Sequence, residues 1–226
     1  MDYRVISIGT LACHPLWNER EEVRTGHGTT TLIRVGKTAI IVDPALPAEI
    51  LRARMRERTD LPHSQVTHVF LTSFNPEVRR GLSLFEHATW WIGAQEREAA
   101  GPLVFHELHK AEEADDEALC KRLSAEVETL RRLEPAPDRL AKGVDLFPLH
   151  GVTPGLTGLV LGVASHTTVV CGDAIPTLEH LEKRQAPRWA ADTEAAKESI
   201  AEILEIADAL ILGRDGLVVN PARRAV

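Results

Sequence analysis

Leu71-Thr72-Ser73-Phe74-Asn75-Pro76-Glu77-Val78 is the stretch on which the reading of this chain turns. An apolar run from Val66 reaches Leu71 and Thr72, and a polar loop containing a proline follows at once. Val, Phe and Leu in so short a run suit a buried strand, and Asn75-Pro76 cannot extend it, because proline has no N–H to give to a ladder. The same design recurs at Ile41-Val42-Asp43-Pro44, at Val152-Thr153-Pro154-Gly155-Leu156-Thr157, at Cys171-Gly172-Asp173-Ala174 and at Ile211-Leu212-Gly213-Arg214-Asp215. Each reads as a strand end opening into a polar or Gly/Pro-containing loop. Loops held on a rigid sheet are where chemistry concentrates.

Outward from these junctions the pattern is that of an α/β protein. Tyr3 to Ile8 and Thr29 to Val35 read as strands, and Gly36-Lys37 turns the second into Thr38–Asp43 as a hairpin. Pro47 opens a helix that runs to about Arg58. Ala88 to Ile92 is a further strand in which Trp90 and Trp91 face opposite ways. From about Phe105 to Leu133, Leu119, Leu123, Val127 and Leu130 recur at spacings of three and four, which predicts one long helix packing its stripe on the chain's own core. Strands return at Val144–Leu149, Gly158–Val163 and Thr167–Cys171. A helix over Thr193–Ile206, with Asp192 as N-cap, leads to a last strand, Ala209–Leu212. No linker or repeat divides the chain, so one domain over 1–226 is expected.

The 226 residues are 44% apolar and 26% charged, an ordinary globular composition that excludes disordered and fibrous classes. A net charge of -7 argues against nucleic acid or an anionic membrane as partner. No apolar run approaches the ~18 residues of a membrane span, and the stretch from Met1-Asp2-Tyr3-Arg4 lacks the long apolar run expected of a signal peptide. Three scattered cysteines, Cys13, Cys120 and Cys171, read as reduced thiols. A cytoplasmic protein is expected.

The ordered series of junctions resembles the metallo-β-lactamase fold superfamily of metal-dependent hydrolases, over essentially the whole chain. Val42-Asp43-Pro44, Thr153-Pro154-Gly155 and Gly172-Asp173 carry the framework, with Gly9-Thr10-Leu11 and His14-Pro15-Leu16-Trp17 ahead of it. The resemblance implies a four-layer αββα sandwich and a cleft at the strand ends. It also implies where metal ligands stand. The family's H-x-H-x-D-H motif falls on Ser73, Asn75, Glu77 and Val78; the imidazole after Pro-Gly falls on Leu156; the last imidazole falls on Arg214; the bridging aspartate alone is kept, as Asp173. Zinc takes three or four N, S or O donors. Leu156 and Val78 offer none, and a guanidinium stays protonated and cannot ligate. The expectation is therefore no resident metal, and a catalytically silent protein that binds a small molecule in the old cleft, with a homodimer as its assembly. The alternative is an active hydrolase, either metal-free or with one divalent ion such as zinc on Asp173, Glu77, Asn75 and His14 or His150.

His14, His27, Asp43 and His150 are the remaining cleft candidates. Asp43 and Asp173 also read as acceptors for loop N–H groups, and the three histidines as hydrogen-bonded loop or core residues. The other histidines lack ligand spacing; His106 and His109 alone sit three apart on a helix. Cys13 beside His14 has the residue types of a nucleophile and base, yet neighbours in sequence usually point apart. One contact is expected above the rest. With the metal gone, Arg214 fills its volume and pairs with Asp173 and Glu77, because facing carboxylates in a cleft need a cation.

Overall fold

The computed structural model describes residues 1–163 and 166–223. Twelve strands form two six-stranded sheets among these residues. The first sheet holds β1 (Asp2–Ser7), β2 (Thr30–Val35), β3 (Thr38–Val42), β4 (His68–Leu71), β5 (Thr89–Ile92) and β6 (Glu134–Pro135), in that order across the sheet. The second contains β7 (Arg139–Ala141), β8 (Val144–Pro148), β9 (Thr157–Val163), β10 (His166–Gly172), β11 (Ala209–Leu212) and β12 (Leu217–Val219), again in sequence order across the sheet. Hairpin-linked neighbours pair antiparallel, and parallel pairs appear where longer connections, most of them helical, intervene: β3–β4, β4–β5, β5–β6 and β10–β11.

Three apolar clusters fill the spaces between four layers. α1 (Ala48–Arg58), α2 (Ala94–Glu113) and α3 (Glu117–Arg132) cover the outer face of the first sheet, burying Leu51, Met55 and Leu130 against Val69, Leu71 and Ile92. Ile33, Ile40, Phe70, Leu159 and Ile211 pack between the sheets. α4 (Leu178–Lys183) and α5 (Thr193–Ile206) close the outer face of the second sheet with Leu181, Ile200 and Ile203. This is the expected αββα sandwich. Period-two alternation divides the tryptophans as expected: Trp90 joins the helix-side cluster, and Trp91 faces the sheet interface and stacks on His68.

The single helix expected over 105–133 is instead two. Asp115 takes a left-handed turn (φ 52°) and Asp116 restarts the chain by accepting the Leu119 N–H at 2.9 Å. A side-chain cap and a run of acids at one point favour a helix start over continuation. α2 also begins eleven residues before Phe105, and Pro102 lies inside it. Of the stripe, Val127 and Leu130 are buried while Leu119 and Leu123 sit half-buried at its end. Among the described residues no helix is long and apolar enough to cross a membrane.

Candidate functional site

Four strand ends meet at one edge of the sandwich. Asp43 follows β3, Thr72 to Val78 follow β4, Asp173 follows β10 and Arg214 follows β11. Backbone bonds tie the two sheets here, Thr157 N–H to Thr72 C=O at 3.0 Å and Thr29 N–H to Gly213 C=O at 2.7 Å, and Gly28 N–H to Glu77 C=O at 3.1 Å joins two loops of the first sheet. Two glycines allow the approach. Gly172 has φ 52° and a Cβ there would lie 2.8 Å from Thr72 Oγ1, while a Cβ on Gly213 would lie 2.2 Å from the Gly172 carbonyl.

Arg214 is the centre of this edge. Its Nε donates to Asp173 Oδ1 and its Nη2 to Asp173 Oδ2, both at 2.7 Å, a bidentate fork. Its Nη1 donates to Glu77. The Arg214 side chain is 2% exposed, that of Asp173 4% and that of Glu77 32%. Burial alone would lower the Arg214 pKa, but Asp173 and Glu77 outweigh it and raise it, so the cation is permanent. The expected pairing is present with both carboxylates.

The other positions carried over from the family pattern have local structural partners. Ser73 Oγ accepts from Asn75 N–H, and Asn75 Oδ1 caps a short helical turn by accepting the Glu77 N–H at 2.9 Å. Val78 is buried against Gly28, and Leu156 is wholly buried in the cluster under α5. Asp43, at φ 48°, accepts the Thr72 N–H (2.8 Å) and the Thr72 hydroxyl (2.7 Å), which locks β3 to β4. Burial first, and the charge of Asp173 next among the raising causes, push its carboxyl up to about 7 against those hydrogen bonds.

The histidine candidates separate. His14 lies beside Arg214, buried and stacked on Trp17 with ring centroids 4.1 Å apart. Its Nε2 is 3.2 Å from both Thr177 Oγ1 and Glu179 Oε2, and Trp17 Nε1 donates to Glu179 at 2.7 Å. Burial pushes the Glu179 carboxyl up, but hydrogen bonds from Thr177, its own backbone and Trp17 hold it below the usual range. Burial and then His14 lower His180, 2.9 Å from Thr177 Oγ1, to about 4, so that ring is neutral at pH 7. His14, Trp17, Thr177, Glu179 and Arg214 line a pocket of about 150 Å³ with Gly9, Thr10 and Asp215. His27 does not join it. Cβ atoms built on Gly26 and Gly28 meet Glu77 and Val78, so alternation turns His27 the other way, into a groove against α1. His150 is also elsewhere; its carbonyl accepts from Ser199 of α5, and it does not line the Arg214 pocket.

Thr177, Glu179 and Glu96 escaped the sequence reading, and Trp17 entered it only as part of the His14–Trp17 framework stretch. Glu96 is buried and its carboxylate accepts from Phe74 N–H (2.9 Å), Thr153 Oγ1 (2.6 Å) and Gly155 N–H (3.2 Å), clamping two of the loops together. An acid one turn into α2 carries no sequence signal for this. Trp17, an aromatic in a polar loop, does.

The donor set does not fit a dinuclear metal centre. Both oxygens of Asp173 already face a guanidinium, Asn75 is engaged in its cap, and Leu156 and Val78 carry no lone pair. The mononuclear set with His150 is not assembled either, and among the described residues no three His, Cys, Asp or Glu side chains converge as ligands.

Comparison with curated proteins finds no match. Solved structures share the fold at low identity. A Thermotoga maritima chain described as a metallo-beta-lactamase superposes with TM-score 0.69 at 13% identity, covering 96% of this chain and 98% of its own. AidC, a dizinc quorum-quenching lactonase, gives TM-score 0.65 at 16% identity, over 85% of this chain and 74% of its own. A single-substitution mutant of AiiA from B. thuringiensis gives 0.58 at 15%, over 81% and 80%. The sequence profile of the metallo-beta-lactamase superfamily matches residues 23–212. Profile and fold agree over most of the chain, which belongs to the metallo-beta-lactamase superfamily.

Proposed function

We propose that this chain is a catalytically silent member of its hydrolase-like superfamily, acting by binding a small molecule in the remnant of the cleft beside Arg214. One observation carries the reading: a buried arginine forks both oxygens of the single aspartate kept from the family's ligand set. Hydrolysis in metal-dependent relatives needs a cation that lowers the pKa of bound water from 15.7 to ~7. A guanidinium supplies charge but no open coordination position, so it neutralises Asp173 and Glu77 without making a nucleophile. The 150 Å³ pocket presents Arg214, His14 and Glu179 to a small polar ligand of this site. Three free cysteines fit a reducing, cytoplasmic setting.

The test is elemental analysis of tag-free protein after incubation with zinc, manganese or iron, together with lactone, lactam and thioester hydrolysis. The expected result is well under one equivalent of metal and no turnover. One or two equivalents of metal, with turnover abolished by chelator, would overturn the proposal.

A further inference from the structure

We propose a second ligand site, unrelated to the Arg214 centre: the groove between the edge strand β1 and helix α1 binds a free carboxylate with a medium-length alkyl chain. The groove has a volume of about 420 Å³, within the ~300–1,000 Å³ range of small-molecule sites. Ile8, Leu46 and Ile50 line one end, and Ile8 and Ile50 are 59% and 52% exposed. Two large β-branched side chains left in water around one concavity are better explained by an apolar occupant than by chance exposure.

The polar end has the opposite character. Arg54 and Arg58 follow Ile50 at intervals of four, so all three share one face of α1. In a chain of net charge -7, two guanidinium groups side by side favour an anion. Arg58 has no ion-pair partner among the described residues, and the Arg54 pair with Glu57 is exposed, so a ligand carboxylate can compete for it. Ile50 to Arg58 spans roughly 12 Å along the helix at 1.5 Å per residue, about the length of an extended chain of eight to ten carbons. Length, apolar end and cationic end therefore specify one ligand class.

The wall opposite α1 is irregular at the same place. The β1–β2 register shifts between Val5 and Ser7, and Ser7 lines the groove with a buried hydroxyl that has no hydrogen-bond partner. A bulge that turns a side chain toward a cavity is a common device at binding sites. His27 adds a second polar group at this wall. None of the groove's residues occupies a family ligand position, so the proposal stands whether or not the Arg214 centre is silent.

Titration calorimetry with sodium decanoate, below its micelle concentration, tests this on the full chain. One molecule should bind per chain, and decanol should bind at least tenfold more weakly. Arg54→Gln with Arg58→Gln should weaken decanoate at least tenfold without changing the melting temperature, since both heads are at the surface. Ile50→Asn should do the same from the apolar end. Absence of decanoate binding at millimolar concentration, or binding unaltered in both variants, overturns the proposal. Sedimentation showing a dimer that Ile50→Asn dissociates also overturns it, because the groove is then an interface between copies.

Discussion

Arg214→Ala is the perturbation that bears most directly on the site. The substitution removes two 2.7 Å bonds to Asp173 and the contact with Glu77, and leaves a carboxylate with 4% exposure facing no cation. Two unit charges about 4 Å apart at an effective dielectric near 20 interact by about 4 kcal/mol. Breaking a buried pair by deleting one partner costs about 3–5 kcal/mol, so the two estimates agree. The stranded carboxylate can escape by taking a proton, and each unit of upward pKa shift is about 1.4 kcal/mol, so the loss must shrink in acid. Urea unfolding of wild type, Arg214→Ala, Asp173→Asn and the double variant, at pH 8 and pH 5, measures this. Expected are a loss of about 3–5 kcal/mol at pH 8, a smaller loss at pH 5, and a double variant well above the sum of the singles. A loss under about 1 kcal/mol at pH 8, equal at pH 5 and additive with Asp173→Asn, would refute the reasoning.

Other outcomes follow from single residues. Asp43, pushed up to about 7 chiefly by burial, binds its proton more tightly folded than unfolded; its share of stability is full below about pH 4 and is lost as pH rises through 7, by up to about 4 kcal/mol. Asp43→Asn, which cannot ionise, should flatten that slope between pH 4 and 7 in denaturant titrations, and an unchanged slope would contradict the raised value. Leu130→Ala should cost about 2–5 kcal/mol as a buried truncation, and Leu123→Ala, half-buried, clearly less; equal losses would mean that α3 is seated differently. Asp192→Ala removes acceptors for the Glu194 and Ala195 N–H groups, both at 3.0 Å, and should lower stability by about 1 kcal/mol; thermal melts check it. Thiol labelling of the native protein should spare Cys171, whose burial pushes its thiol far up, while Cys13 and Cys120 react.

Periodicity made most of the framework legible. Thr193–Ile206 with its Asp192 cap, and Ala209–Leu212, are where the sequence places them, because a cap, a 3.6-residue stripe and a short β-branched or aliphatic run are local signals. The site's junctions were legible for a similar reason: a strand end followed by Gly, Pro or Asp is written in consecutive residues. Once the family resemblance marks the ligand positions, residue chemistry says that Leu156 and Val78 hold no metal, and that a carboxylate left in a cleft demands a cation, which is why the Arg214–Asp173 pair could be expected.

What only the tertiary structure decided is non-local. His14 reaches Glu179 across 165 positions, and Glu96 clamps Phe74 and Gly155 from opposite sides in sequence, so neither contact leaves a trace in any window. The Asp115–Asp116 break differs, since its Asp cap is a local signal; the stripe Leu119 to Leu130 lies wholly within α3 and therefore says nothing about where the helix before it ends. His27 looks like a cleft residue in sequence, yet its neighbours Gly26 and Gly28 face Glu77 and Val78, and a period of two sends His27 to the opposite wall. Local propensity and pattern follow from bonds along the chain. Which side chains meet depends on how two sheets stack, and that is set by all the layers together.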